Sequence, residues 1–107
     1  MISPGLVVQK FGGTSVMTPA HRQHVVGRVA AERATGRQVA LAVSAMGRHG
    51  DPYATDTLLD LLRADGGAVE PQHYDLIFTC GEAISVAVVA QNLQRAGIPA
   101  VGLTSVQ

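Results

Sequence analysis

The sequence predicts a soluble α/β domain with a parallel sheet, and three observations support this fold class. Short apolar runs at residues 6–11, 39–43 and 100–103 have the length of buried strands. Segments with apolar residues at helical spacing separate these runs. The length of 107 residues suits one compact domain. Strands that alternate with helices favour a parallel sheet covered by helical layers.

The three predicted strands have clear boundaries. The first, LVVQKF at residues 6–11, is closed by Gly12 and Gly13. The second, VALAV at residues 39–43, is continuously apolar, as expected for a strand covered on both faces. The third, at residues 100–103, begins just after Pro99.

Four helices are predicted between and after these strands. The first begins with Thr18 as the N-cap and Pro19 at the first helical position, and stops near Gly36. Its apolar face contains Val25, Val26, Val29 and Ala30. The second covers residues 54–64, with Leu58, Leu61 and Leu62 on one face.

The third and fourth helices are predicted at residues 71–80 and 83–96, with Gly81 and Glu82 as an interruption between them. The fourth is apolar nearly all round, which predicts that it is buried, and Gly97 terminates it. No repeat, low-complexity tract or domain linker is evident.

Charge and cysteine content exclude several classes of protein. Eight Lys and Arg balance eight Asp and Glu, so there is no polybasic footprint for nucleic acid or a membrane surface. Uninterrupted apolar runs are far shorter than the roughly 18 residues that span a bilayer. Residues 1–6 lack the basic start of a secretory signal. The single cysteine, Cys80, rules out an intrachain disulfide and favours a reduced, cytosolic setting.

The residue types that most often bind metals do not form a pattern. The four histidines, at positions 21, 24, 49 and 73, show no spacing that would provide three ligands, so we predict no metal site among the side chains. Cys80 lies in an apolar stretch without an adjacent base, which favours an inert buried thiol over a nucleophile.

Residues 10–15 are a candidate phosphate-binding turn. Lys10 ends a strand and is followed by Gly12, Gly13 and two hydroxyl residues. Glycines let backbone N–H groups approach an anion closely, and the ammonium adds a positive charge. The motif is not a Walker P-loop, because its lysine precedes the glycines. The alternative is a strand that ends in a tight turn with a surface lysine.

Two further segments lie where ligands bind in parallel sheets, beyond a strand or at a helix interruption. Ser44 leaves the second strand, and Thr55 and Asp56 open a helix whose N-terminus would attract an anion; alternatively, they only cap and stabilise that helix. Glu82 requires a partner if it is buried. A substrate ammonium or a neighbouring arginine would serve, and the alternative is a partly exposed glutamate at a helix start.

Taken in order, these segments resemble aspartate kinases of the amino acid kinase family. The similar segments are VQKFGGTSV at 8–16, VSAMG at 43–47, TDTLL at 55–59, CGEAIS at 80–85 and GIPAVGLT at 97–104. They span essentially all 107 residues, and motifs in a fixed order are more specific than any one alone. GDPYATD at residues 50–56 is most similar to the isoforms that supply diaminopimelate and lysine synthesis.

The resemblance implies a parallel-sheet αβα sandwich of the amino acid kinase type in a cytoplasmic enzyme. It implies transfer of the γ-phosphoryl group of ATP, with Mg²⁺, to the side-chain carboxylate of L-aspartate. The product, 4-phospho-L-aspartate, enters lysine, threonine and methionine synthesis. The attacking carboxylate is ionised near neutral pH, so the reaction requires no general base.

The resemblance also assigns roles to residues. Lys10 would be the catalytic residue that contacts the transferring phosphoryl group, with Gly12, Gly13 and Ser15 in the same ATP-binding turn. Ser44 and Thr55 would contact the aspartate, and Glu82 would pair with its α-ammonium group.

The sequence departs from the family pattern at its end. The family continues past this point with a Gly-x-Gln-x-Gly turn, whereas Ser105 stands where that turn begins. We therefore expect residues 1–107 to be the N-terminal half of the catalytic domain, without its C-terminal half and the regulatory ACT domains, and inactive or weakly active alone. Uncovered apolar faces would favour a homo-oligomer or association with the missing half. Alternatives are another kinase of the family, or a noncatalytic fragment that docks on a full-length subunit.

Overall fold

A computed structural model describes residues 5–105 of the chain. Its elements, in order, are β1 (Leu6–Phe11), a 3₁₀ turn (Gly13–Ser15), α1 (Pro19–Ala34), β2 (Gln38–Val43), α2 (Thr55–Arg63) and α3 (Pro71–Arg95). The expectation about a secretory signal concerns residues that lie largely outside the described part, as do Val106 and Gln107.

The two strands form a parallel pair, which confirms the predicted sheet type. Their register runs from Leu6 opposite Gln38 to Phe11 opposite Val43. Helix α1 connects them, because parallel strands require a crossover rather than a tight hairpin. The carboxyl ends of both strands therefore lie side by side at one edge of the sheet.

Helices cover one face of this sheet. Phe11, Val39 and Leu41 pack against a core that α1 and α3 supply. On the opposite face, Leu6 and Val8 are 64% and 70% exposed. The expectation that β2 is covered on both faces is therefore wrong for the described residues, because both helices lie on the same side.

Helix α1 forms as predicted. The Thr18 side chain accepts a hydrogen bond from the His21 backbone N–H, and Pro19 occupies the first turn. Val25, Val26 and Val29 are buried. Gly36 follows the helix with φ 86°, a left-handed conformation that glycine adopts without strain.

Helix α2 matches the expected segment, but its buried face differs. Of the leucines predicted on one face, Leu58 and Leu62 are half-buried and Leu61 is 63% exposed. The buried leucine is Leu59. Helix α2 has nine residues and packs against α3.

Helix α3 is one continuous helix of 25 residues, so the expected interruption at Gly81 and Glu82 is wrong. Gly81 is buried, and a Cβ at that position would lie 3.0 Å from Leu58 Cδ1 and 3.1 Å from Ala45 Cβ. The glycine thus permits close packing rather than breaking the helix. It reduces helix propensity by about 1 kcal/mol relative to alanine, and the contacts along α3 offset that loss.

The burial of α3 also differs from the expectation. Its buried residues form a single stripe spaced by four: Gly81, Ser85, Val89 and Leu93. Cys80 lies off that stripe and is exposed, so the expectation of a buried thiol is wrong. Among the described helices, α3 is the one long and apolar enough to cross a membrane by length and composition. Core helices of soluble proteins pass the same test, and α3 packs against α1, α2 and β2.

The predicted third strand does not form within the described residues. Ile98 is buried in the core, but Val101 and Leu103 are 79% and 65% exposed. A strand requires a neighbour with which to exchange backbone hydrogen bonds. β2, α1, α3 and residues 98–103 line a cavity of about 470 Å³.

Candidate functional site

The turn after β1 is the first part of the site. Gly12 leads into the 3₁₀ turn Gly13–Ser15, and the Ser15 N–H donates to the Gly12 carbonyl oxygen (3.0 Å). Val16, which is fully buried, anchors the far end of this turn in the core. The turn therefore projects from the carboxyl end of β1 with both ends fixed.

The segment that leaves β2 packs directly on this turn. The Ser44 N–H donates to the Phe11 carbonyl oxygen at 3.1 Å, and the Gly47 N–H donates to the Gly13 carbonyl oxygen at 3.0 Å. A Cβ on Gly13 would lie 2.5 Å from the Ala45 carbonyl oxygen. The sheet ladder thus continues beyond the strands into two turns that touch each other.

Gly12 differs from Gly13 in its surroundings. No atom lies within 4 Å of the position where its Cβ would be. Gly12 is exposed, so its backbone is accessible to a ligand. The Gly13 contact holds the turn against the protein, while Gly12 faces open space that an anion could occupy.

Lys10 and Ser44 lie at the same edge of the sheet. Lys10 is exposed and stands opposite Ala42 in the register. Because strand side chains alternate between faces, Lys10 lies on the uncovered face. Ser44 follows the last residue of β2 and is half-buried. Lys10 is the chain's single lysine, and none of the described carboxylates forms an ion pair with it.

The loop at residues 47–54 leads from this edge to Thr55, the first residue of α2. The Asp51 carboxylate accepts a hydrogen bond from the Arg48 N–H (2.8 Å), and the Gly50 N–H donates to the Thr57 hydroxyl (2.8 Å). Gly47 has φ 89°, which an L-residue would adopt only with strain. Thr55 is half-buried, and these bonds hold its position relative to the β2 turn.

An exposed ion pair joins the same loop to α2. His49 Nε2 donates to Asp60 Oδ2 at 2.6 Å. The hydrogen bond to Asp60, and then the negative charge of that carboxylate, raise the pKa of His49 above its ordinary value of 6.5. The same hydrogen bond lowers the pKa of Asp60 below 3.8.

Glu82 adjoins the contact between α3 and the β2 turn. It is half-buried in the middle of α3, one residue after Gly81. The alternative of a partly exposed glutamate at a helix start is therefore right about its exposure and wrong about its position. A neighbouring arginine is one of the partners predicted for Glu82, but no described arginine forms an ion pair with it. Its carboxylate is therefore available for a cationic group.

The structure brings the three predicted segments to one end of the sheet. The turn after β1 contacts the turn after β2, and Gly81 contacts Ala45 of that second turn, Leu58 of α2 and the loop at Tyr53. Sequence reasoning did not identify Ala45 and Gly81 as the packing contacts of the site. Their small size was the available signal, because such residues permit close backbone approach.

No group of three or more metal-ligating side chains occurs in residues 5–105. Several groups at this end of the sheet can bind an anion: the Lys10 ammonium, the accessible backbone at Gly12 and the hydroxyls of the two turns. Glu82 on α3 adds a half-buried carboxylate that can pair with a cation.

Comparisons with known proteins agree with this description. The chain matches the amino acid kinase family over residues 5–107. It is 46% identical to aspartokinase 1 of Bacillus subtilis strain 168 over 102 residues, 95% of this chain and 25% of that protein. It is 39% identical to the aspartokinase of Geobacillus stearothermophilus over 103 residues, 96% of this chain and 24% of that protein.

A solved structure gives the same result. The crystal structure of aspartate kinase from Synechocystis superposes with a TM-score of 0.81 and 35% identity, covering 90% of this chain and 16% of that one. The chain thus spans about a quarter of the length of the curated relatives it matches. The family match covers nearly every residue, and the parallel sheet has the fold of that relative: the chain belongs to the amino acid kinase family.

Proposed function

We propose that this chain forms the N-terminal part of the catalytic domain of an aspartate kinase. That enzyme transfers the γ-phosphoryl group of ATP to the side-chain carboxylate of L-aspartate. The observation that carries the proposal is the convergence of three segments on one end of the sheet, through the Ser44–Phe11, Gly47–Gly13 and Gly81–Ala45 contacts. The identity to aspartokinase 1 of Bacillus subtilis supports the choice of substrate.

The turn after β1 would bind the phosphates. Lys10 has no carboxylate partner among the described residues, so its ammonium is free to bind the transferring phosphoryl group. Gly12 leaves its backbone accessible, Gly13 holds the turn in place, and Ser15 contributes a half-buried hydroxyl side chain to the same turn. Phosphoryl transfer requires alignment and positive charge from the protein more than a covalent nucleophile.

The second turn and α3 would bind the amino acid. Ser44 and Thr55 flank the loop between β2 and α2, and Glu82 offers a half-buried carboxylate to the α-ammonium of aspartate. The substrate's own side-chain carboxylate is the nucleophile and is ionised near pH 7, so these residues only need to bind and orient it.

This arrangement has one feature that suits ATP and is also compatible with magnesium. Gly12 is exposed and no neighbouring group fills the space beside it, which leaves room for a polyphosphate. Magnesium is usually bound by few carboxylates together with the phosphates of the substrate, so a dedicated group of protein ligands is not required. When bound, the ion neutralises charge on the transferring phosphates.

We further propose that residues 1–107 require the rest of the catalytic domain, and that the enzyme is cytoplasmic and acts as a homo-oligomer. Leu6 and Val8 on the sheet face, and Val101 and Leu103 beyond α3, are 64–79% exposed. Large apolar side chains exposed at these two places favour association with further protein surface. A fragment that docks on a full-length subunit remains the second candidate for the isolated chain, favoured by the same exposed side chains.

A chimeric enzyme tests the proposed activity. Residues 1–107 replace the matching quarter of aspartokinase 1 of Bacillus subtilis, and aspartate-dependent ADP release is measured for the chimera and for the 107-residue chain alone. We expect turnover from the chimera and little or none from the isolated chain. A chimera that prefers glutamate or acetylglutamate to aspartate would overturn the substrate assignment.

Removal of the lysine tests its role in that chimera. Lys10→Ala should reduce kcat at least about 100-fold, the usual effect of removing one group that stabilises the transition state. It should leave the unfolding midpoint unchanged, because Lys10 is exposed. Arg28→Ala, which removes an exposed cation from α1, is the matched control and should retain full activity. Equal activity of the two variants would contradict the assignment of Lys10.

A further inference from the structure

His49 holds the loop at residues 47–54 against α2. His49 is the third residue of that loop, and its ring forms a hydrogen bond with the Asp60 carboxylate at 2.6 Å. The neighbouring Gly50 N–H donates to the Thr57 hydroxyl, one turn earlier on the same helix. Two consecutive loop residues, His49 and Gly50, are thus hydrogen-bonded to side chains about one turn apart on α2.

The inner end of the loop touches the phosphate-binding turn. Gly47 donates its N–H to the Gly13 carbonyl oxygen, and the last loop residue, Ala54, precedes Thr55 directly. The loop therefore connects Gly47, which is bonded to Gly13, with Thr55 at the start of α2. Gly13 and Thr55 are the residues assigned above to the phosphate end and the aspartate end of the site.

The charged groups that face His49 come from α2. Asp60 accepts its hydrogen bond, Asp56 adds a second negative charge, and Arg63 opposes them. Arg63 also contacts the other oxygen of Asp60 at 3.5 Å. Within the loop itself, the Asp51 carboxylate is engaged by the Arg48 N–H.

We propose that His49 is a positioning residue for the amino acid substrate. Its bond to Asp60 fixes the loop at residues 47–54 on α2 and so sets where Thr55 stands relative to the Gly13 turn. This His49–Asp60 hydrogen bond, hereafter the clasp, is a property of this chain, while its effect on aspartate binding rests on the proposed function. The variable that it controls is the affinity for the acceptor, not the phosphoryl transfer itself.

The bond predicts a dependence on pH with a definite sign. Because the pKa of His49 is raised, the contribution of the pair is complete below pH 6.5 and is lost as pH rises through the raised value. Because the pKa of Asp60 is lowered, the contribution is complete above pH 3.8 and is lost as pH falls through the lowered value. The His49–Asp60 bond thus holds the loop most firmly between pH 3.8 and pH 6.5.

The first arm of the test uses the 107-residue chain and requires no activity. NMR titration of the histidine rings, with amide exchange of Gly50 and Ala54, is measured in the wild type, His49→Ala and Asp60→Asn. We expect a His49 pKa above 6.5 in the wild type that falls in Asp60→Asn, and faster exchange of both amides in either variant. An unraised pKa, or unchanged exchange, would overturn the clasp whatever the chimera does.

The second arm uses the active chimera. His49→Ala should raise the KM for aspartate about two- to fivefold, the range for an exposed ion pair, with kcat and the KM for ATP unchanged. The KM of the wild type should rise as the pH increases above 6.5, through the raised pKa of His49. His49→Lys should keep a low KM and abolish that rise. His24→Ala is the control and should match the wild type.

The outcomes separate the two proposals. An inactive chimera with a raised His49 pKa and protected amides contradicts the proposed function and leaves the clasp supported by the first arm. An active chimera whose His49→Ala variant binds aspartate as the wild type does refutes the positioning role. Additive effects of His49→Ala and Asp60→Ala on KM would also refute it, because residues that act through one bond are not additive.

Discussion

Substitution of Gly13 by alanine tests the contact between the two turns. The added Cβ would lie 2.5 Å from the Ala45 carbonyl oxygen and 2.9 Å from that of Gly47, inside the 3.0 Å below which real Cβ atoms essentially never approach. Both atoms are backbone, so relief requires the two turns to separate. Overpacking of this kind costs about 1–3 kcal/mol, and loss of the Gly47–Gly13 hydrogen bond adds about 1 kcal/mol. Gly13→Ala should therefore lower the free energy of unfolding by about 2–4 kcal/mol.

Gly12→Ala is the matched control, because it makes the same chemical change one residue earlier. No atom lies within 4 Å of its Cβ position, and neither glycine has a positive φ. Its free energy of unfolding should change by less than about 1 kcal/mol, with a small gain from the reduced entropy of the unfolded chain. Urea denaturation followed by circular dichroism measures both variants. Equal destabilisation would refute the steric argument and with it the claim that Gly13 joins the two turns.

Three further substitutions test the packing that supports the site. Val16→Ala, at a fully buried position, should destabilise the chain by about 2–3 kcal/mol in urea, and a loss as small as that of the exposed Val101→Ala would contradict its anchoring role. Thr18→Ala removes the cap of α1 and should cost about 1 kcal/mol; a stability equal to the wild type would show that the cap contributes nothing. Gly81→Val should cost about 1–3 kcal/mol and speed exchange of the Gly47 amide; slower exchange would oppose close packing there.

Elements defined by local signals were predictable from the sequence. Thr18, Pro19 and Gly36 mark both ends of α1 through a cap, a fixed φ and a left-handed residue. The strand at residues 6–11 has the bounds observed for β1. Errors arose where tertiary contacts decide the outcome. Gly81 has the same local signature in a helix break and in a close helix contact, and only the position of Ala45 distinguishes them.

Residues 98–103 and Cys80 show the same limit. The segment after Pro99 has strand-like residues, but a ladder depends on a neighbour that local sequence does not specify. Cys80 lies in an apolar stretch, yet the buried stripe of α3 starts one residue later. The sequence predicts the parts of the candidate site as separate motifs, and parallel strands bring the turns that follow them to the same end of the sheet. The packing contacts of the site are not predictable in this way, since they depend on the distance between α3 and the second turn.

The hydrogen bond from Gly47 to Gly13 couples the motions of the two turns. A molecule that immobilises either turn also removes freedom from the other, so a second molecule that settles beside it loses less entropy on arrival. The two substrates of such a site would then help each other to bind, with no signal carried through the helices.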